Sequence, residues 1–195
     1  MTTMLNLEKG QKIDLTKNNP GLKKIKVGLS WDVKDGTQCD ADASCICLGE
    51  NNKMIDENSL VYYNNSKDAN HSLNKYIIHS GDNLTGEGEG DDETIIVDLA
   101  QVPENFKSLL FTVTMYAHGK KVNFGQVENL TCRLYDAENN EVISSFDLSE
   151  DFSTFTALEM VKLYKKDNEW KAEAIGEGIG KSDNGLQDVL SKYKG

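Results

Sequence analysis

The sequence predicts an all-β protein, a β-sandwich of two mainly antiparallel sheets with a short C-terminal helix. Three observations lead there. Apolar residues recur at every second position in many short segments, the spacing that turns one strand face toward a core. Turn-forming pairs separate those segments. Clear helical spacing occurs once, at the end of the chain.

The elements follow in order. Ile25, Val27 and Leu29 alternate with polar partners. The apolar run 43–48 (Ala-Ser-Cys-Ile-Cys-Leu) reads as a strand, as does 94–97 (Thr-Ile-Ile-Val). Residues 109–116 are rich in β-formers and end at Ala117-His118-Gly119. Further strands are predicted at 131–135, 141–146 and 170–175. The stretch 157–164 is less regular; it reads as a strand because Leu158, Met160 and Lys162 alternate against Val161 and Leu163. Turn signals stand at Asp35-Gly36, Asn64-Asn65, Asn139-Asn140 and Asp167-Asn168, and Pro20 and Pro103 fall between segments. Leu186, Val189, Leu190 and Tyr193 follow i, i+3, i+4, i+7 and predict the helix, after a loop at 181–185.

At 195 residues the chain fits one domain, 1–195, large enough to bury a good core. The net charge of −11 argues against nucleic acid as a partner, because phosphate affinity comes from Lys and Arg. It disfavours anionic membranes equally, unless calcium bridges the two surfaces. No apolar run approaches the length that spans a bilayer, which excludes direct insertion, and the N-terminus lacks a signal-peptide pattern. Cytoplasm is the expected compartment. The four cysteines form no CxxC pair, and Cys45 and Cys47 share one predicted strand face. Cys39 and Cys132 stand alone, so reduced, structural cysteines are expected.

The segment 81–93 carries the chemistry. Asp82, Glu87, Glu89, Asp91, Asp92 and Glu93 stand among Gly81, Gly86, Gly88 and Gly90, with Asn83 beside them. Carboxylates this crowded repel one another, so such a loop faces water or holds a cation. Glycines let it curl, and oxygen-only donors suit calcium better than magnesium or zinc. Asp40 and Asp42 form a second acidic element at the mouth of the 43–48 run, where period two puts both on one face. Asp91 and Glu93 stand in the same relation to 94–97, with Asp92 pointing away. One shared site or two adjacent ones, holding one or two Ca2+ ions, is the expectation.

Other motifs are weaker. Counted from Asp40, loop position six is Cys45 where an EF-hand needs glycine. Residues 176–182 resemble a phosphate-binding loop, but their first glycine is one residue too close and Glu177 would repel phosphate. His71, His79 and His118 show no metal-ligand spacing. His79 could orient a carboxylate near the acidic loop, although a surface or strand-end role is the commoner one. No nucleophile elbow occurs.

Taken in order, these blocks resemble the TerD family of tellurium-resistance and general-stress proteins. The matching residues are 27–32 (Val-Gly-Leu-Ser-Trp-Asp), 40–44 (Asp-Ala-Asp-Ala-Ser), 61–65 (Val-Tyr-Tyr-Asn-Asn), 81–93, 124–127 (Phe-Gly-Gln-Val), Leu163-Tyr164 and 169–171 (Glu-Trp-Lys). The resemblance implies a calcium-binding β-sandwich in the bacterial cytoplasm, active in tellurite and stress resistance beside sibling tellurium-resistance proteins. By motif match it implies Asp40, Asp42, Asp82, Asn83, Asp91, Asp92 and Glu93 as ligands, with Asp32, Asn64 and Asn65 as second contributors. Phe155, Lys165 and the long loop 180–185 depart from the family pattern.

A calcium-binding, non-enzymatic stress module is the leading expectation. A metal-dependent enzyme acting on a phosphorylated small molecule is the alternative, since carboxylate-held metal polarises phosphates. Cyclic-nucleotide binding is the third, and it lacks a visible phosphate cradle. No pattern in the chain specifies an oligomeric state.

Overall fold

Two six-stranded sheets face each other in the computed structural model, which describes residues 4–34, 39–83, 90–117, 121–148, 152–180 and 182–195. In chain order the first elements are β1 (Leu5–Leu7), β2 (Lys12–Asp14), α1 (Leu15–Asn18), β3 (Lys24–Val33) and β4 (Asp40–Leu48). Then come β5 (Leu60–Tyr62), β6 (Ile77–His79), β7 (Glu93–Asp98) and β8 (Ser108–Tyr116). The last are β9 (Val127–Asp136), β10 (Val142–Asp147), β11 (Ala157–Lys166), β12 (Glu169–Ile179) and α2 (Gly185–Tyr193). The Asp35-Gly36 turn, the glycine-rich centre of the acidic loop, His118 and Lys181 lie outside the described residues.

One sheet runs β1-β10-β9-β3-β7-β6 and the other β2-β12-β11-β8-β4-β5. Every ladder is antiparallel except the short parallel pairing of β1 with β10. The expected two-sheet, mainly antiparallel architecture is the observed one. Ile25, Val27, Leu29 and Trp31 of β3 meet Ala43, Cys45 and Cys47 of β4 and Leu109, Phe111 and Val113 of β8 between the sheets. Burying each large side chain in that layer contributes about 1.5–3 kcal/mol. All four cysteines are buried and free, so their role is packing.

The outer face of the second sheet has its own cover. Ile46, Leu48, Leu60 and Leu110 pack beneath Val189 and Tyr193 of α2. Asn184 caps that helix by accepting from the Gln187 N–H at 3.0 Å. The helix enters very close to β11. A Cβ on Gly185 would stand 2.4 Å from the Thr156 carbonyl oxygen, so only glycine fits.

The irregular stretch at 157–164 has a structural cause. A register shift falls between Glu159 and Val161 in both of the ladders of β11. At this bulge Met160 and Val161 both reach the core, and period two breaks. On the partner strand Gly176 absorbs the kink with φ of 57°, against the Phe146 ring.

Candidate metal centre

The alternation of β4 builds the site. Ala41, Ala43, Cys45 and Cys47 point into the inter-sheet core, so Asp40, Asp42 and Ser44 line the outer face. Asp82 arrives from the connection between β6 and β7. One carboxylate oxygen from each of Asp40, Asp42 and Asp82 lies within 4.8 Å of the other two. Among the described residues no other group of acids, histidines or cysteines converges this way. No Lys or Arg ion pair among the described residues involves them. The site therefore joins the edge of one sheet to a loop of the other.

Asp40 and Asp42 are buried while Asp82 is exposed. Burial pushes the Asp42 carboxyl up to about 7, and Asp40 and Asp82 push it further in the same direction. Burial likewise raises Asp40 to about 6; the Ala41 N–H, 2.8 Å from its own Oδ1, opposes this, and Asp82 adds to it. Tyr63 is raised by burial and by the charges of Asp42 and Asp82.

Glu93 and His79 form the shell behind. β5 ends at Tyr62 opposite Ser44, so Ala43 has no strand partner on that edge. Its N–H donates to Glu93 Oε2 at 2.7 Å, and its carbonyl takes His79 Nε2 at 3.0 Å. These two side chains thus finish the ladder that β5 leaves open. His79 Nδ1 accepts from the Gly81 N–H at 3.0 Å, which fixes the neutral tautomer with the proton on Nε2. Burial lowers the His79 pKa in agreement. Glu93 is fully buried; burial raises it to about 8, although the Ala43 and Asn83 N–H groups pull the other way. His79 is therefore a core residue beside the acids rather than a surface histidine.

The remaining predicted residues scatter. Asp92 accepts from the Trp31 N–H at 3.0 Å, and Asn83 Nδ2 reaches its carbonyl and its Oδ1. Exposed Asp32 accepts from Asn129 Nδ2 at 2.6 Å and stands near enough to Asp92 to raise it, after burial. Asn65 spends its amide on its own turn, accepting from the Tyr62 N–H and donating to the Leu60 carbonyl. Asn64 donates to the Tyr62 hydroxyl.

The same-face pairing of Asp91 with Glu93 is corrected. Glu93 pairs with core-facing Leu29 and points inward, but β7 begins only there. Asp91 lies over the opposite face, against Gly28, where a Cβ would come 2.2 Å from its Oδ2. Arg133 Nη1 holds its carboxylate at 2.9 Å and Ser30 Oγ at the same distance. The chain leaves the ladder at Asp92, so period two does not extend back to Asp91.

Sequence reasoning missed Tyr63, the Glu93–Ala43 cap and Arg133. A signal existed for the last: the sequence holds a single arginine, in a strand whose neighbours are core residues.

The comparisons agree with this architecture. The TerD domain profile matches residues 3–193. General stress protein 16U of Bacillus subtilis (strain 168) is 42% identical over 193 residues, covering 97% of this chain and 96% of that protein. Tellurium resistance protein TerD of Serratia marcescens is 37% identical over 192 residues, with 97% and 96% covered. A solved structure described as a homologue of telluride resistance protein (TerD) from Streptomyces coelicolor A3(2) superimposes with a TM-score of 0.65. Its identity is 20%, and the match covers 85% of this chain and 95% of that one.

Proposed function

The chain belongs to the TerD family, and from that premise we propose that it is a calcium-binding, non-enzymatic stress-response module. Its ion would be held by Asp40, Asp42 and Asp82. The observation that carries this reading is the convergence of their oxygens within 4.8 Å. Oxygens no farther apart than this can share one ion with bonds of about 2.4 Å. The donor set is all oxygen, and two of its three members, Asp40 and Asp42, are buried. Burial raises two of the carboxylates, so a positive charge between them would favour their ionised forms. A divalent ion supplies that charge.

Binding rather than turnover suits the surroundings. Glu93, the acid behind the cluster, is committed to the backbone N–H groups of Ala43 and Asn83. The names of the relatives support stress and tellurium resistance as the setting. A cytoplasmic place beside sibling tellurium-resistance proteins belongs to the same proposal.

Calorimetry with calcium on chelator-stripped protein tests it. Saturable binding is expected, lost or weakened at least tenfold in Asp42→Asn. Absence of binding at millimolar calcium, or an Asp42→Asn titration that overlays the parent, would refute the assignment. Metal-dependent phosphatase activity abolished by the same substitution would favour an enzyme instead.

A further inference from the structure

We infer that Ser44 and Thr112 form the inner, uncharged wall of the cation site, holding an ordered water against the ion bound by Asp40, Asp42 and Asp82. The inference rests on the calcium reading and extends it to residues that carry no charge. Ser44 is 1% exposed and Thr112 0%, and neither hydroxyl oxygen has a hydrogen-bond partner in the protein. They stand directly opposite each other on β4 and β8. Their chain neighbours Cys45, Phe111 and Val113 face the inter-sheet core, so both hydroxyls lie on the outer face with the acids.

Position on the sheet says what they serve. Asp42 pairs with Thr114 in the next same-face rung, and Asp40 with Tyr116 beyond it. On the other side lies the apolar rung of Ile46 and Leu110, covered by Val189 and Tyr193. Across β8, Thr112 also stands opposite buried Glu159 of β11, whose carboxylate is taken up by Lys192 and Tyr193, so the hydroxyl pair lies between that satisfied carboxylate and the acids of the site. Same-face neighbours along a strand are about 7 Å apart. A carboxylate and a hydroxyl reaching toward each other across that distance leave room for one small polar particle.

Two buried hydroxyls that face each other without bonding call for such a particle. A water with two to four polar partners satisfies both. Its remaining lone pair is then free for the ion. Calcium accepts six to eight oxygens, waters among them, and three carboxylates leave places to fill. A purely structural role would leave binding unchanged when the hydroxyls are removed.

The test uses the full chain, stripped with chelator and titrated with calcium chloride at fixed ionic strength. Parent protein is compared with Ser44→Ala, near-isosteric Thr112→Val, and Thr112→Ser, which keeps the hydroxyl. The inference expects Ser44→Ala and Thr112→Val to bind calcium about tenfold more weakly at unchanged net charge. Thr112→Ser should bind like the parent. Metal-free melting temperatures of the two deletions should stay close to the parent's, so that weaker binding is not the result of a folding defect. Parent-like binding in both deletions overturns the inference and leaves the calcium site standing. Equal weakening in Thr112→Ser also overturns it, since packing would then be the cause. No calcium binding by the parent removes the calcium reading and this inference together.

Discussion

Asp42 is the residue on which the site turns. Its carboxyl is pushed up to about 7 by burial and by two acidic neighbours. Glu93 and Asp40 are raised in the same direction, to about 8 and about 6. A carboxyl raised in the folded state stabilises the fold fully below its unfolded pKa, near 4, and loses that contribution as pH climbs through the folded value. Metal-free protein should therefore melt at progressively lower temperature between about pH 5 and pH 8.5, by thermal denaturation in buffers containing chelator. Calcium should bind more tightly over the same interval, because the ion replaces protons. A flat melting profile across that range would contradict the raised values. The Asp40–Asp42 pair was legible in the sequence because i and i+2 on a strand share a face. The fate of Asp91 was not, because its partner Arg133 stands 42 positions away in the chain.

At the scale of elements, β3 and β9 show why a glycine interrupts an otherwise regular strand. Gly28 leaves space for Asp91, whose side chain is 5% exposed and whose ion pair with Arg133 closes the outer face. Gly28→Ala should destabilise by about 1–3 kcal/mol, because the added methyl has no free volume. Arg133→Met should cost more, up to about 3–5 kcal/mol, since it strands a buried carboxylate. Chemical denaturation of both variants checks the order; a Gly28→Ala protein as stable as its parent would show that Asp91 can swing away freely. The long strands were readable because six or more residues of period two are a strong signal. β1, β2, β5 and β6 span three residues each, too short for any period to show. The Glu93–Ala43 cap was hidden for a related reason: it exists because β5 stops one rung early, and nothing local in the sequence marks where a three-residue strand ends.

Across the whole molecule, the site lies where one sheet's edge meets the other's connecting loop. Asp40 and Asp42 belong to β4, Asp82 follows β6, and Glu93 and His79 bridge from β7 and β6 to Ala43. An ion at this seam would clamp the two layers together rather than order one loop. At free calcium about 100 times the Kd, a ligand that binds only the folded state adds about 2.7 kcal/mol. For a chain of this size that corresponds to a rise in Tm of about 5–10 °C. The rise should come with slower amide exchange on both sides of the seam, at Ala41–Ala43 and at Gly81–Asn83 together. The apolar layer beneath α2 should change less, being held by Lys192 at 3.0 Å from Glu159 and by the Tyr193 hydroxyl on the same carboxylate. Hydrogen exchange with and without calcium separates the two pictures. Protection confined to Gly81–Asn83, with β4 unaffected, would mean that the ion rests on the acidic loop alone and that the sheets do not share it.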